Sequence, residues 1–385
     1  MDQDALNTEK SLQLALHSAC RMEEDYWKLK SRNPWLQSGD RNTAFFHKKE
    51  AVHQHFNVVK EIHHNNNLVT EFEEIKQAAH DHFKDIYSES YEVPEVGNEE
   101  ILDRIPRKVP PKSNRKLTAQ VTLEEIQCAL EEMSPDKASG PDGFTARALT
   151  ACWPIVHKDL LRLVRKSQNC TKLGGATNSA FLALIPKEKR ASSFARFRSI
   201  SLCNIGYKII TKVMANRLKG ILPKLIPENQ GGFIKGRNIS DNIILVQEAI
   251  HSSTARKDKG MVVKLDLANA FDGVRHDFLF QVMSRFGFAP EFIYWVKACI
   301  AAPWIVPLVN GRAAEYFQAS RGLRQGFPLS PLLYAIQALA LSFQLEFSRT
   351  QQGLQGLHMV RGVKDINHAQ FADDTLLLGG ASPNI

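Results

Sequence analysis

The chain has 385 residues, 43% of them hydrophobic and 23% charged, enough apolar material for one large domain or two ordinary ones, which excludes disorder over the whole length. No apolar run approaches bilayer length, and the opening MDQDALNTEK is acidic and polar where a signal peptide is basic and then apolar, so an intracellular chain that does not enter membranes is expected. The net charge of +8 is concentrated: between Leu184 and Lys224 six Lys and four Arg face one Glu, the footprint of a polyanionic partner or of a solvated helix face.

In chain order, residues 1–87 read as a mainly helical N-terminal region, carried by ALNTEKSLQLALHSACRMEEDYWKLKSR and EFEEIKQAAHDHFKDIY, with the polar turn and aromatic pair of QSGDRNTAFFHKK between them. Residues 88–116, rich in Pro and charge without periodicity, read as a linker. Seven of the 13 histidines fall between His47 and His82; with no thiolate partners nearby they read as solvated surface rather than a metal site. The six cysteines contain no C-x-x-C pair, which suggests neither a disulfide framework nor a zinc site and fits a reducing compartment. Thr122, three residues before Glu125, makes a capping box for a helix with Ile126, Leu130 and Met133 on one face, ended by the turns of SPDKASGPDG. FLALIP, residues 181–186, is a strand candidate that leads into the basic stretch, where Lys208, Lys212 and Lys219 share one helix face and Ile209, Val213 and Leu218 the other. This alternation of strand and helix predicts an α+β or α/β architecture.

Two later stretches carry carboxylates among apolar residues. MVVKLDLANAFDGV surrounds Asp266 with Val262, Val263, Leu265 and Leu267, and FADDTLLLGG sets Asp373 and Asp374 between Phe371 and Leu376. A carboxylate in such a setting needs a cation or an exposed turn, although a single one is most often a hydrogen-bonded structural residue. If the Asp266 strand lies beside a hairpin of INHAQF and TLLLGG, three carboxylates converge and their repulsion demands a divalent cation; hard oxygen ligands select Mg²⁺ or Mn²⁺. Such a centre serves in-line phosphoryl or nucleotidyl transfer by two metals. RGLRQGFPLSPLLY, Arg321 to Tyr334, is a loop punctuated by Gly and Pro that lets backbone approach a ligand and leads into the apolar helix LLYAIQALALSF.

Taken in order, LALIPK, FRSISLCNIGYKIITKVMANRLK, QGGFIKGRNISDNI, KLDLANAFDGV, GLRQGFPLSPLL and FADD resemble the successive blocks of a reverse transcriptase, most of all the LINE-type, non-LTR retrotransposon enzymes of plants. SPDKASGPDGF and GDRNTAFFH resemble segments that precede those blocks, so the likeness runs from about Gly39 to Gly380. The resemblance implies an α+β fold, a right-hand polymerase with fingers and palm over residues 117–385 and its core blocks within 181–380. It implies copying of an RNA template into DNA, adding dNTPs to a DNA primer with two Mg²⁺ or Mn²⁺ ions. Carried over by position, Asp266, Asp373 and Asp374 are palm carboxylates, the first two the direct ligands of both metals. Phe271, five residues after Asp266, is the aromatic that excludes a ribose 2′-OH; Lys187 and Arg198 hold the triphosphate; Gln325 and Gly326 shape the base-pair pocket. The plainer alternatives are core packing for Phe271, surface charge for Lys187 and Arg198, and a turn cap for Gln325.

The sequence departs from the family pattern at Phe327, where Asp is common, at Ser199, where Pro is usual, and at the doubled glycine Gly231–Gly232; these read as scattered changes of relaxed selection. Members of the family continue beyond FADD with a thumb and begin with an endonuclease domain, so a thumb-less fragment is expected, with weak or absent processive synthesis because primer alignment is lost. Two competing readings remain. One is a non-catalytic remnant that still binds nucleic acid; the other, a metal-dependent nuclease, leaves LALIPK and RQGFPLSP without a role. The Lys/Arg patch suits binding and nuclear import equally, so nucleus and cytoplasm both stand.

Overall fold

The computed structural model describes residues 3–31, 48, 51, 57–88, 98–257, 259–351, 355–359 and 365–380. They form two compact units: residues 1–75 with 185–198 and 309–312, and residues 76–184 with 199–308 and 313–385. The expected turn and aromatic pair in QSGDRNTAFFHKK fall almost wholly outside the described residues. Among the described residues no helix is long and apolar enough to cross a membrane.

In the first unit the helix Gln3–Ser31 leaves Leu12, Leu14 and Leu16 exposed. The helical reading of the N-terminal region misses a hairpin of β1 (Ile62–His64) and β2 (Asn67–Val69). Its two turn residues, Asn65 and Asn66, have φ of 49° and 64°, the left-handed pair that a two-residue hairpin requires and Asn tolerates. Asn310 clamps the segment before it, accepting from the Val59 N–H at 2.8 Å and donating to the Val59 carbonyl at 2.9 Å.

The second unit holds the main core, in which Val121, Ile126, Val164, Ile209, Val213 and Trp295 are buried together. Residues 98–116 are not a linker. They form the helix Asn98–Asp103 and the start of the helix Pro111–Thr118, and Leu102, Ile105 and Val109 enter the core. The prolines that suggested a linker start a helix instead: Pro111 occupies the first turn, where its missing N–H costs nothing. The helix Leu123–Glu131 opens on the expected capping box of Thr122 and Glu125, with Ile126 and Leu130 buried.

β3 (Ser179–Pro186) covers FLALIP, and β4 (Phe197–Cys203) lies beside it. β5 (Gly260–Leu265) carries the approach to Asp266. β3 runs parallel to β6 (Trp304–Val309) from Ser179↔Trp304 to Ala183↔Leu308; the short β7 (Arg312–Ala313) and β8 (Phe317–Gln318) belong to the same sheet. The SPDKASGPDG turn starts the next helix. Asp142 accepts from the Ile205 N–H at 2.8 Å and Lys208 donates to the Ala138 carbonyl at 2.8 Å, so the helix Ile205–Lys219 is capped from a segment 60 residues earlier.

β9 (His368–Phe371) and β10 (Asp374–Gly380) make the FADD hairpin, and the second sheet has the order β5-β10-β9. The neighbouring of strand and hairpin expected from the sequence is therefore present. β5 is an edge strand, however, and Met261, Val262, Leu265 and Leu267 are exposed rather than packed around a buried Asp.

Candidate active site

β10 pairs antiparallel with β5 from Thr375↔Leu265 to Gly380↔Gly260, and Asp374 and Asp266 are the residues next to the last pair. Like charges on neighbouring strands repel. The relief comes from Lys264, two residues before Asp266 and so on the same face of the strand, whose ammonium lies 2.9 Å from an Asp374 carboxylate oxygen. Asp374 above all, then Asp266 and Asp373, hold the Lys264 ammonium above its usual pKa. Asp373 sits on the turn between β9 and β10. It lines a cavity of about 250 Å³ with Leu267, Tyr334 and Gln337. Burial, reinforced by Asp373, pushes the Tyr334 hydroxyl up to about 12. Among the described residues no three His, Cys, Asp or Glu side chains converge closely enough to hold a metal ion between them, so the single convergence point expected of the carboxylates is not formed.

The hairpin tip is braced from below by the segment after Pro227. Ala372, on the turn, has φ of 58°, a strained value for a residue with a Cβ. The fully buried Gln230 holds it there: its Oε1 accepts from the Ala372 N–H at 3.1 Å and the Gly232 N–H at 2.9 Å. A Cβ on Gly232 would stand 2.2 Å from the Ala372 nitrogen, and one on Gly231 3.1 Å from the Asn242 amide. Gly232 is thus a packing requirement of the carboxylate turn, and Gly231 packs closely against the Asn242 side chain. Gln230 was missed by the sequence reading; its only signal was its place before the paired glycines.

Phe271 stands between two rings, stacked on Tyr334 with centroids 4.8 Å apart and edge-on to Phe233 at 6.2 Å. Phe233 is 42% exposed with φ of 62°, a second strained residue at the same place and a candidate that the sequence reading did not single out. The next residue, Asp272, accepts from the Tyr87 hydroxyl at 2.7 Å and the Ser199 hydroxyl at 3.2 Å. Burial, and then Asp272, raise the Tyr87 pKa well above normal, so this hydroxyl stays a donor. Ser199 therefore adds a hydrogen bond that the usual Pro could not, and its change has a physical reason.

The loop of Gln325 and Gly326 lies on β4: the Ser201 N–H donates to the Gln325 carbonyl at 2.9 Å, and Gly326 has φ of 109°. Beneath it Arg324, 4% exposed, donates to Asn178 at 2.6 Å and the Cys299 carbonyl at 2.8 Å and lies over the rings of Tyr207 and Phe327. Phe327 is itself buried, edge-on to Tyr207 at 5.0 Å. The aromatic in place of Asp thus packs a buried cation by its ring face.

Lys187 and Arg198 belong to the first unit, and both are exposed. Lys187 donates to the Ala195 carbonyl at 3.2 Å; the Arg198 guanidinium makes no hydrogen bond or ion pair among the described residues. The charged helix downstream is largely spent on structure. Lys212 pairs with Glu132 at 2.7 Å, and Arg217 binds both oxygens of Glu125 at 2.7 Å, so this part of the basic stretch is neither a free polyanion patch nor a plain solvated face.

The profile of the reverse transcriptase (RNA-dependent DNA polymerase) family matches residues 185–382, just over half of the chain. The chain belongs to the reverse transcriptase family. This reverse transcriptase chain is 27% identical over 306 residues to the Transposon TX1 uncharacterized 149 kDa protein of Xenopus laevis, covering 80% of the chain and 23% of the relative. It is 27% identical over 263 residues to a retrovirus-related Pol polyprotein from type-1 retrotransposable element R2 of Popillia japonica, covering 67% and 34%. It is 24% identical over 265 residues to the corresponding polyprotein of the type-2 element R2DM of Drosophila melanogaster, covering 69% and 24%. The reverse transcriptase chain thus spans a quarter to a third of the length of these curated relatives.

Proposed function

We propose that the chain carries the fingers and palm of an RNA-directed DNA polymerase of a LINE-like retroelement of plant type, with an RNA template, a DNA primer and dNTPs as substrates. The observation that supports this reading is the β5–β10 register, whose last pair, Thr375↔Leu265, adjoins Asp374 and Asp266, with the Lys264 ammonium on Asp374 and Asp373 on the adjoining turn. Three carboxylates against one ammonium leave a charge of roughly −2, which a divalent cation matches, and oxygen donors suit Mg²⁺ or Mn²⁺. The type of donor therefore suits these ions, while the three carboxylates do not converge on one point in this structure. Asp266, Asp373 and Asp374 would hold the ions, which when bound lower the pKa of a hydroxyl and neutralise phosphate charge.

The other residues take roles that their surroundings support. Phe271, fixed between Tyr334 and Phe233, presents a rigid ring edge against a ribose 2′-OH. Gln230 and Gly232 hold the carboxylate turn in place, and geometric definition of this kind lowers the cost of alignment. Gln325 and Gly326, seated on β4 over the buried Arg324, offer backbone to a nascent base pair. Lys187 and Arg198 bring exposed cations suited to a triphosphate.

The test is dNTP incorporation on a primed RNA template with Mn²⁺ or Mg²⁺. Weak, non-processive incorporation is expected from the natural chain and is lost in Asp373→Asn/Asp374→Asn. A second reading, a chain that binds nucleic acid without catalysis, is favoured by one observation, the occupation of Asp374 by Lys264. Template binding without incorporation in either protein would establish it.

A further inference from the structure

We infer that the second unit carries a phosphate-backbone groove separate from the carboxylate sheet. The inference rests on the polymerase reading for its partner, and on geometry for its position.

The groove lies between the helix Pro111–Thr118 and the end of the helix Ile205–Lys219, and measures about 690 Å³. Lys112 and Lys116 enter from the first, one turn apart on the same face, and Lys224 from beyond the second. All three are exposed, and none of their ammonium groups has an ion pair or hydrogen bond among the described residues. Like charges one turn apart weaken a helix, so this arrangement is unfavourable without an anion.

What surrounds the lysines removes the groove's own negative character. Its lining carboxylate, Glu125, is bound through both oxygens by Arg217, whose side chain is 7% exposed. Arg217 also donates to the Leu117 carbonyl at 2.9 Å and the Ala119 carbonyl at 2.6 Å. Acceptors that would repel phosphate are thereby occupied, and the three lysines are left as net positive charge. The hydroxyls of Ser113 and Thr122 line the same wall. The volume is too large for a lone phosphate ion, and cations drawn from two distant segments follow a length of chain rather than a point. A phosphodiester backbone fits, and in a polymerase of this family it belongs to template or primer.

The experiment titrates the 385-residue chain with fluorescent single-stranded RNA, and separately with a primed duplex, over a range of salt concentrations. Lys112→Gln/Lys116→Gln/Lys224→Gln is compared with the natural chain and with a control triple at exposed lysines elsewhere, Lys158→Gln/Lys166→Gln/Lys172→Gln. Loss of three phosphate contacts lowers the slope of log K against log salt by about 2 on a single strand. That loss, in the groove triple and not in the control, is the expected result. A loss on RNA alone assigns the groove to the template strand; a loss on both ligands assigns it to phosphodiester backbones in general. An unchanged slope in a variant with unaltered thermal unfolding overturns the groove and leaves the polymerase reading standing, and so does an equal loss in the control. If the natural chain binds neither ligand, both fall.

Discussion

The Lys264 ammonium lies 2.9 Å from the Asp374 carboxylate across the β5–β10 pair, two residues before Asp266 on its own strand. The protein thus pairs one of its carboxylates with a cation from the neighbouring strand. Replacing Lys264 by Gln leaves that carboxylate unrelieved, so Mn²⁺ is expected to raise the unfolding temperature of Lys264→Gln more than that of the natural chain. Thermal unfolding with and without Mn²⁺ checks this; equal shifts would show that Lys264 and the metal do not share a site. Asp374, foremost, raises the Lys264 pKa. The pair's contribution is therefore fully present below the unfolded-state value and lost as pH rises through the higher folded value, which leaves the neutral range flat.

Gly232→Ala places a Cβ where the Ala372 backbone already stands. The turn must move, and with it Asp373 and Asp374. Misplacement by about 1 Å costs on the order of 100-fold in rate, so incorporation is expected to fall by that factor while nucleic-acid binding persists. Single-turnover incorporation and anisotropy, measured side by side, separate the two effects.

Ser199 and Tyr87 both donate to Asp272, the residue beside Phe271. Each hydrogen bond reaches a charged acceptor, so Ser199→Ala and Tyr87→Phe are each expected to cost about 1–3 kcal/mol in urea unfolding. They share one carboxylate, and the double variant should depart from additivity by at least 0.5 kcal/mol, on the order seen within one hydrogen-bond network.

Phe271→Val removes the ring that the polymerase reading sets against the sugar. Discrimination between dNTP and rNTP is expected to fall by about 10- to 100-fold, with dNTP use retained. Phe233→Ala removes only the edge contact at 6.2 Å and is expected to act in the same direction more weakly. Competing incorporation of dATP and ATP measures both.

Glu125 is pulled in two directions: burial raises its pKa, and the Arg217 and Thr122 contacts more than offset this to leave it below the usual carboxylate value. A depressed folded value stabilises above the unfolded pKa and is lost as pH falls through the folded one. Glu125→Gln should therefore cost about 2–3 kcal/mol at neutral pH and shrink towards zero in acid. Urea unfolding at pH 7 and at acid pH tests it.

Short-range patterns in the sequence by themselves determined much of the scaffold. The Thr122 capping box, the FLALIP strand, the helix after Asn204 and the FADD hairpin are each written in apolar periodicity or turn chemistry over a few residues, and each is present. The order of the blocks likewise identified the family. Only the tertiary structure decided what the departures mean. Ser199 meets Asp272 across 73 residues, Gln230 meets Ala372 across 142, and Phe327 packs the buried Arg324 against Tyr207. The same holds for charge: Lys212 and Arg217, basic in the sequence, are neutralised by Glu132 and Glu125, while Lys112, Lys116 and Lys224 are left to face a groove. Local propensity acts over a helical turn or a hairpin. Whether a side chain is buried, paired or free depends on segments brought together by the core, which no local pattern records.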